Sequence, residues 1–155
     1  MANPDIPNFG ELLAPYIGQV PAAAVPNFLA LLERGAAERY RQWAGQMPEH
    51  AEGLLACAAR EDEIADTADG LFPIADELRR EISQPLPQAR DVYYAVFAGL
   101  ELNDQLAIQA DAELQGAAAW RGMISADTAA DLRAGLEHCA QLEETSSAFL
   151  RSLLG

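Results

Sequence analysis

Lysine is absent from this chain: all 10 basic residues are arginine, set against 24 acidic ones for a formal net charge of −14. Without a lysine amine, Schiff-base chemistry and a phosphate-binding P-loop are excluded. No cluster of arginines relieves the negative charge, so neither nucleic acid nor an anionic membrane is an expected partner. The charge reads most simply as solubility. Cysteine is scarce too, and Cys57 and Cys139 stand far apart without metal-type spacing. They read as small buried hydrophobes rather than reactive thiols. Long apolar runs are missing, since no stretch approaches the roughly 20 residues of a membrane span. Met1–Asn8 has neither the positive flank nor the apolar run of a secretory signal, and a cytoplasmic protein is the expectation.

What is present is alanine and leucine, with β-branched residues sparse, a composition that favours helices over strands. At 155 residues one domain with a single substantial core is expected. Its parts are an N-terminal arm, residues 1–25, and a helical body, residues 26–155. In the arm, Phe9, Leu12, Leu13, Tyr16 and Ile17 make the stripe of a short amphipathic helix within residues 5–18. Pro21 and Pro26 then make a hinge, and the arm is expected on its own body, with a second copy of the chain as the runner-up.

Four long helices follow. The first runs from about Pro26 to Ala44, with Leu29, Leu32, Ala36, Tyr40 and Trp43 along its seam and Glu33 beside it. Glu33 and Tyr40 project from one face two turns apart. Gly45 and Pro48 make a short link, so the second helix, roughly 48–71, returns antiparallel. Its seam reads Leu54, Cys57, Glu61, Ile64, Ala68, Leu71. A carboxylate in an interior position needs a partner, because an unpaired buried charge costs several kcal/mol or must protonate. Arg39 or Arg60 is the plain candidate, or a seam rotated to leave Glu61 at its edge. Residues 73–87, with a short helix around Ile74–Ile82, are too long for a hairpin and read as a crossover. The third helix is expected from Gln88 to Trp120, with Val92, Val96, Leu100, Asn103, Ala107, Ala110, Leu114 and Ala117 inward. Asn103 is the polar residue in that row, flanked by Glu101 and Asp104. Ser125 or Asp127 caps the fourth helix, which carries Leu132, Leu136, Cys139, Leu142 or Glu143, Ser146, Phe149 or Leu150, and Leu153 inward.

Two hairpins joined by one long crossover resemble the ferritin and rubrerythrin superfamily. Glu33 with Tyr40 seven residues on, and Glu61 on the partner helix, carry the likeness. The resemblance implies an all-α, ferritin-like four-helix bundle over residues 26–154. In that superfamily a glutamate from each of the first and third helices joins Glu-x-x-His motifs on the second and fourth to hold two iron ions. This chain departs from the pattern: Glu61-Asp62-Glu63-Ile64 and Glu143-Glu144-Thr145-Ser146 stand where those motifs should, and Glu-x-x-His occurs nowhere. Imidazole suits iron, and its loss leaves at best a carboxylate cluster of Glu33, Glu61, Glu101 and Glu143. Such a cluster would hold manganese, calcium or magnesium, or nothing.

Three readings follow. The first is a bundle that has lost its di-iron site and serves, without cofactor, as a binding or assembly module, as a homo-oligomer. The second is an enzyme that keeps iron or manganese on the reduced carboxylate set and performs oxidase- or peroxidase-type chemistry. The third is a metal-free small-molecule pocket lined by Tyr40, Trp43, Tyr93 and Asn103. Tyr40 and Trp43 also have the plainer reading of core fillers, and Tyr93 and Tyr94 of packed rings with wet hydroxyls.

Overall fold

The computed structural model describes residues 4–155, which form seven α-helices and no strand. The first three residues of the arm lie outside the described residues. Helix α1 (Phe9–Ile17) is capped by the Asn8 side chain, which accepts from the Glu11 N–H at 3.0 Å. It packs on α5 (Leu86–Ala95) and, more lightly, on α6 (Leu102–Gly122), so the arm is seated on the body of the same chain. A 3₁₀ turn at Ala22–Ala24 leads into α2 (Val25–Gln46), which has Pro26 in its first turn, where a missing N–H costs nothing. A second 3₁₀ turn at Pro48–His50 reverses the chain into α3 (Ala51–Leu71). Helices α6 and α7 (Ala130–Leu153) form the second hairpin, and α3 packs against α7.

The order in which each helix passes the two apolar clusters of the core gives its direction. One cluster holds Ala36, Tyr40 and Trp43 of α2, Leu54 and Cys57 of α3, Leu106 and Ala110 of α6, and Leu150 of α7. The other holds Ala30, Ile64 and Ala68, Ala117 and Trp120, and Leu136 to Ala140 of the same four helices. Thus α2 and α7 run one way, α3 and α6 the other. Because α3 and α6 are parallel, the chain between them must travel back along a helix length. It does so through α4 (Asp76–Ile82) and α5.

The third long helix is therefore not the continuous 88–120 element its composition suggests, and the crossover is longer than 73–87. Helix α5 stops at Ala95, and residues 96–100 form turns with N–H groups of Val96, Phe97, Ala98 and Leu100 bonded three residues back. Gly99 sits at φ +76°, which an L side chain rarely adopts. The break is held by Phe97, whose ring is buried edge-on against Trp43 (5.4 Å) and Tyr93 (5.2 Å). The inward face of α6 is turned from the expected row: Ala110 and Ala117 are buried as expected, joined by Leu106, Glu113 and Trp120 among others, whereas Asn103 faces solvent and Leu114 is 41 % exposed. Neither Ser125 nor Asp127 caps α7: it starts after Ala129 without a side-chain cap, and the Ser125 N–H donates instead to Thr128 Oγ1 at 2.8 Å. Among the described residues no helix is long and apolar enough to cross a membrane.

Candidate metal centre

Between the two apolar clusters each long helix contributes one glutamate. Glu33 lies between Ala30 and Ala36 on α2, Glu61 between Ala58 and Ile64 on α3, Glu113 between Ala110 and Ala117 on α6, and Glu143 between Ala140 and Leu150 on α7. Single carboxylate oxygens of Glu33, Glu61 and Glu143 all fall within 4.8 Å of one another. Glu143 also reaches Glu113, which closes the set. Three of the four carboxylates expected from the sequence thus meet, and one does not. Glu101 is exposed at the N-terminal end of α6, because the break before it places it three turns from the carboxylate layer. Glu113 takes its place.

The surroundings fix two of these carboxylates from one side. Tyr40 Oη donates to Glu113 Oε1 at 2.6 Å, and Gln109 Nε2 donates to the same oxygen at 2.7 Å. Tyr93 Oη in turn donates to Gln109 Oε1 at 2.6 Å, so its hydroxyl is buried rather than wet. Tyr94 likewise donates to the Gly35 carbonyl at 2.9 Å. Trp120 Nε1 donates to Glu143 Oε1 at 3.1 Å. Donors of this kind set a carboxylate's orientation and leave its second oxygen for something else. Glu113 Oε2 and both oxygens of Glu61 are buried with no hydrogen-bond partner.

No cation answers them. Arg39 donates to Gln42 and Gln105, and Arg60 to Ser146 Oγ at 2.9 Å and to the Cys57 sulfur, so neither satisfies Glu61. Burial raises the Glu61 carboxyl well above its ordinary range, and the charges of Glu113, Glu143 and Glu33 push it further the same way. Burial raises Glu143 as well, with Glu33 and Glu113 adding to it. Burial also raises Glu33, against which its contacts to Glu61 and Glu143 work. Those contacts set acceptor against acceptor, which is favourable only with a proton or a cation between them.

The positions that histidine would occupy are filled otherwise. Ile64 is fully buried in apolar surroundings, and Ser146 accepts from Arg60. His138 is at the surface, 3.3 Å from Glu63. Cys139 is buried and its thiol is pushed up to about 12, first by burial and then by Glu33, so it is no thiolate ligand. The donor set is therefore oxygen alone, which suits manganese, magnesium or calcium and disfavours copper or zinc. Four ionised carboxylates carry the charge that two divalent cations neutralise.

The pocket foreseen from sequence is not assembled. Tyr40 and Trp43 are fully buried in the solid core, Trp43 Nε1 donating to Gln105 Oε1 at 2.9 Å, and Asn103 is exposed. Tyr93 does line a cavity of about 250 Å³, which lies away from Trp43 and Asn103, between α1, α2, α5 and α6.

Gly116 is part of the centre's construction. A Cβ there would lie 2.5 Å from Glu143 Oε1 and 2.9 Å from its carboxyl carbon. Gly116→Ala is expected to leave the fold intact, because a carboxylate tip can swing away and alanine favours the helix. It should also pull Glu143 off Trp120 and weaken manganese binding by about 10- to 100-fold, as outer-shell changes do. Titration of metal affinity beside a thermal melt separates the two effects.

No known protein family, no curated protein sequence and no solved structure matches this chain.

Proposed function

We propose that the protein is a metal-dependent oxidoreductase of ferritin-like arrangement, in which Glu33, Glu61, Glu113 and Glu143 hold a pair of divalent cations, manganese ahead of iron because every donor is a carboxylate oxygen. The observation that carries this reading is Glu61: it has no exposure, no donor to either oxygen, and three further carboxylates around it. A metal-free assembly module has no use for such an arrangement. Replacing buried ionic groups by apolar ones is often neutral or stabilising, so a fold gains nothing by keeping them for themselves. The helix directions and the long passage from α3 to α6 support the ferritin-like comparison, with an all-carboxylate set in place of the mixed glutamate and histidine one.

Bound iron or manganese would supply one-electron redox chemistry toward oxygen or peroxide. The protein's own part is to keep the site dry, to aim Glu113 through Tyr40 and Gln109, and to aim Glu143 through Trp120. Glu33 is the member with partial solvent exposure and lines the cavity, which makes it the ligand best placed to change its contacts as substrate arrives.

Metal analysis of protein purified without chelator or affinity tag, then reloaded with manganese(II) or iron(II), tests the reading. About two equivalents are expected, falling to background in Glu33→Ala and Glu61→Ala. A folded protein that takes up no more than trace metal at saturating concentration would sink it.

A further inference from the structure

The cavity between α1, α2, α5 and α6 has a lining of two chemistries. Leu13 and Ile17 of α1, Leu29 and Leu32 of α2, and Ala112 of α6 make its sides. Its lining also includes the three glutamates Glu33, Glu113 and Glu143, with Tyr93 and Gln109 beside them. Glu113 is 1 % exposed, and its Oε2 has no partner, so an unsatisfied buried oxygen stands at the border of an apolar space.

Helix α1 encloses this space without filling it. The Gln115 side chain grips the start of α1 from α6, accepting from the Phe9 N–H at 2.8 Å and donating to the Pro7 carbonyl at 2.9 Å. The rest of α1 is held by Leu13, Tyr16 and Ile17 packing against the crossover cluster of Ile82, Leu86 and Ala89. The chain therefore covers the cavity by a specific contact and leaves it open inside.

We propose that this cavity binds a neutral, apolar small molecule of about ten carbon atoms and presents one end of it to Glu33. The assignment of that molecule as substrate rests on the metal centre proposed above. Size follows from the volume: engineered apolar cavities of about 150 Å³ accept benzene, and this one is about 250 Å³. Neutrality follows from the lining. Arg90 is the cation there: one of its terminal amines donates to the Leu31 carbonyl at 3.2 Å, and its Nε, buried without a partner, is packed against Gly35 of α2. In the metal-free protein an anionic ligand would meet the glutamates, and in the loaded protein, their charge neutralised, a cationic one would find nothing to pair with.

The protein, metal-free and manganese-loaded, is titrated with 1-naphthylamine, an uncharged fluorophore at neutral pH, with naphthalene as competitor. The loaded protein is expected to bind it saturably at one site, with naphthalene displacing it. Ala112→Phe, which puts a ring into the space, should weaken binding by about tenfold or more. Ala119→Trp at the exposed rim does the same from a position that cannot disturb the core, should Ala112→Phe not fold. Metal content of both variants should match the parent. Unsaturable binding, or parental affinity in both folded variants, overturns the proposal. So does preference for a charged probe, naphthalene-2-methylammonium, in the loaded protein. If no metal loads but the neutral probe binds and both variants lose it, the metal reading falls and the cavity assignment stands.

Discussion

Glu61→Leu is expected to raise the stability of the metal-free protein at neutral pH by about 1–4 kcal/mol while abolishing stoichiometric metal binding. The wild-type side chain is buried without exposure or donors, and burial and three neighbouring carboxylates all oppose its charge. Leucine removes the desolvation penalty of this side chain and its repulsion with Glu33, Glu113 and Glu143 together. The gain is a property of the empty protein. With manganese bound the order should invert, because a ligand that binds only the folded state adds stability in proportion to the logarithm of its saturation. Chemical denaturation of both proteins, with chelator and with manganese, gives the four numbers. A variant that is less stable when metal-free, with metal content unchanged, would show that Glu61 serves packing and not coordination. Glu61→Gln, close in shape, separates charge from volume: it should lose the metal and keep part of the stability gain.

The second large effect concerns pH. Glu33, Glu61 and Glu143 hold their protons above the ordinary carboxyl value of 4.5, chiefly because burial opposes their charge. Below that value both folded and unfolded chains are protonated at these sites, and no penalty arises. Above it the unfolded chain releases protons that the folded chain keeps, so stability must fall as pH rises until each folded group titrates. The slope is up to about 1.4 kcal/mol per pH unit for each such group. The metal-free protein should therefore be most stable near pH 4 to 5 and lose stability steadily toward neutrality. The surface carboxylate Glu144, held low by Arg121, works in the opposite direction but is exposed and contributes little. Manganese should reverse the trend, since metal competes with protons for the same oxygens and wins as pH rises. Urea midpoints measured from pH 4 to 8, with and without manganese, decide it. A metal-free midpoint that climbs with pH, or a slope unchanged in Glu61→Leu, contradicts the account.

Much of the local structure was legible before any coordinates. Proline placement marked the starts of α2 and α5 and the turn before α3, because a proline lacks the donor that a helix interior needs and fits the first turn. The seam Leu54, Cys57, Glu61, Ile64, Ala68, Leu71 is buried except at its end, where Leu71 is half-buried, and the structure chose Glu143 over Leu142 and Leu150 over Phe149 on α7. Glu113 was missed, although Glu113 with Trp120 repeats on α6 the seven-residue spacing of Glu33 with Tyr40 on α2. Counting inward positions from Gln88 as one unbroken helix put Leu114 in the core and Glu113 beside it. Ala110 and Ala117 of that row are buried, so the inward face was misplaced by less than the roughly 100° step of one residue, enough to exchange Leu114 for Glu113.

Composition and periodicity by themselves determined that this chain is helical and where the first two long helices and the last lie within a few residues, and they offered Glu61 as an interior position. Those are local properties, set by spacing within a single helix and by the residues that start and stop it. The tertiary structure alone decided that α5 ends at Ala95, that Glu113 rather than Glu101 completes the carboxylate layer, that no arginine reaches Glu61, and that a cavity opens beneath α1. Each depends on which face of one helix meets another: Phe97 lodging between Trp43 and Tyr93 fixes the phase of everything after it, and no periodicity within one segment carries that information.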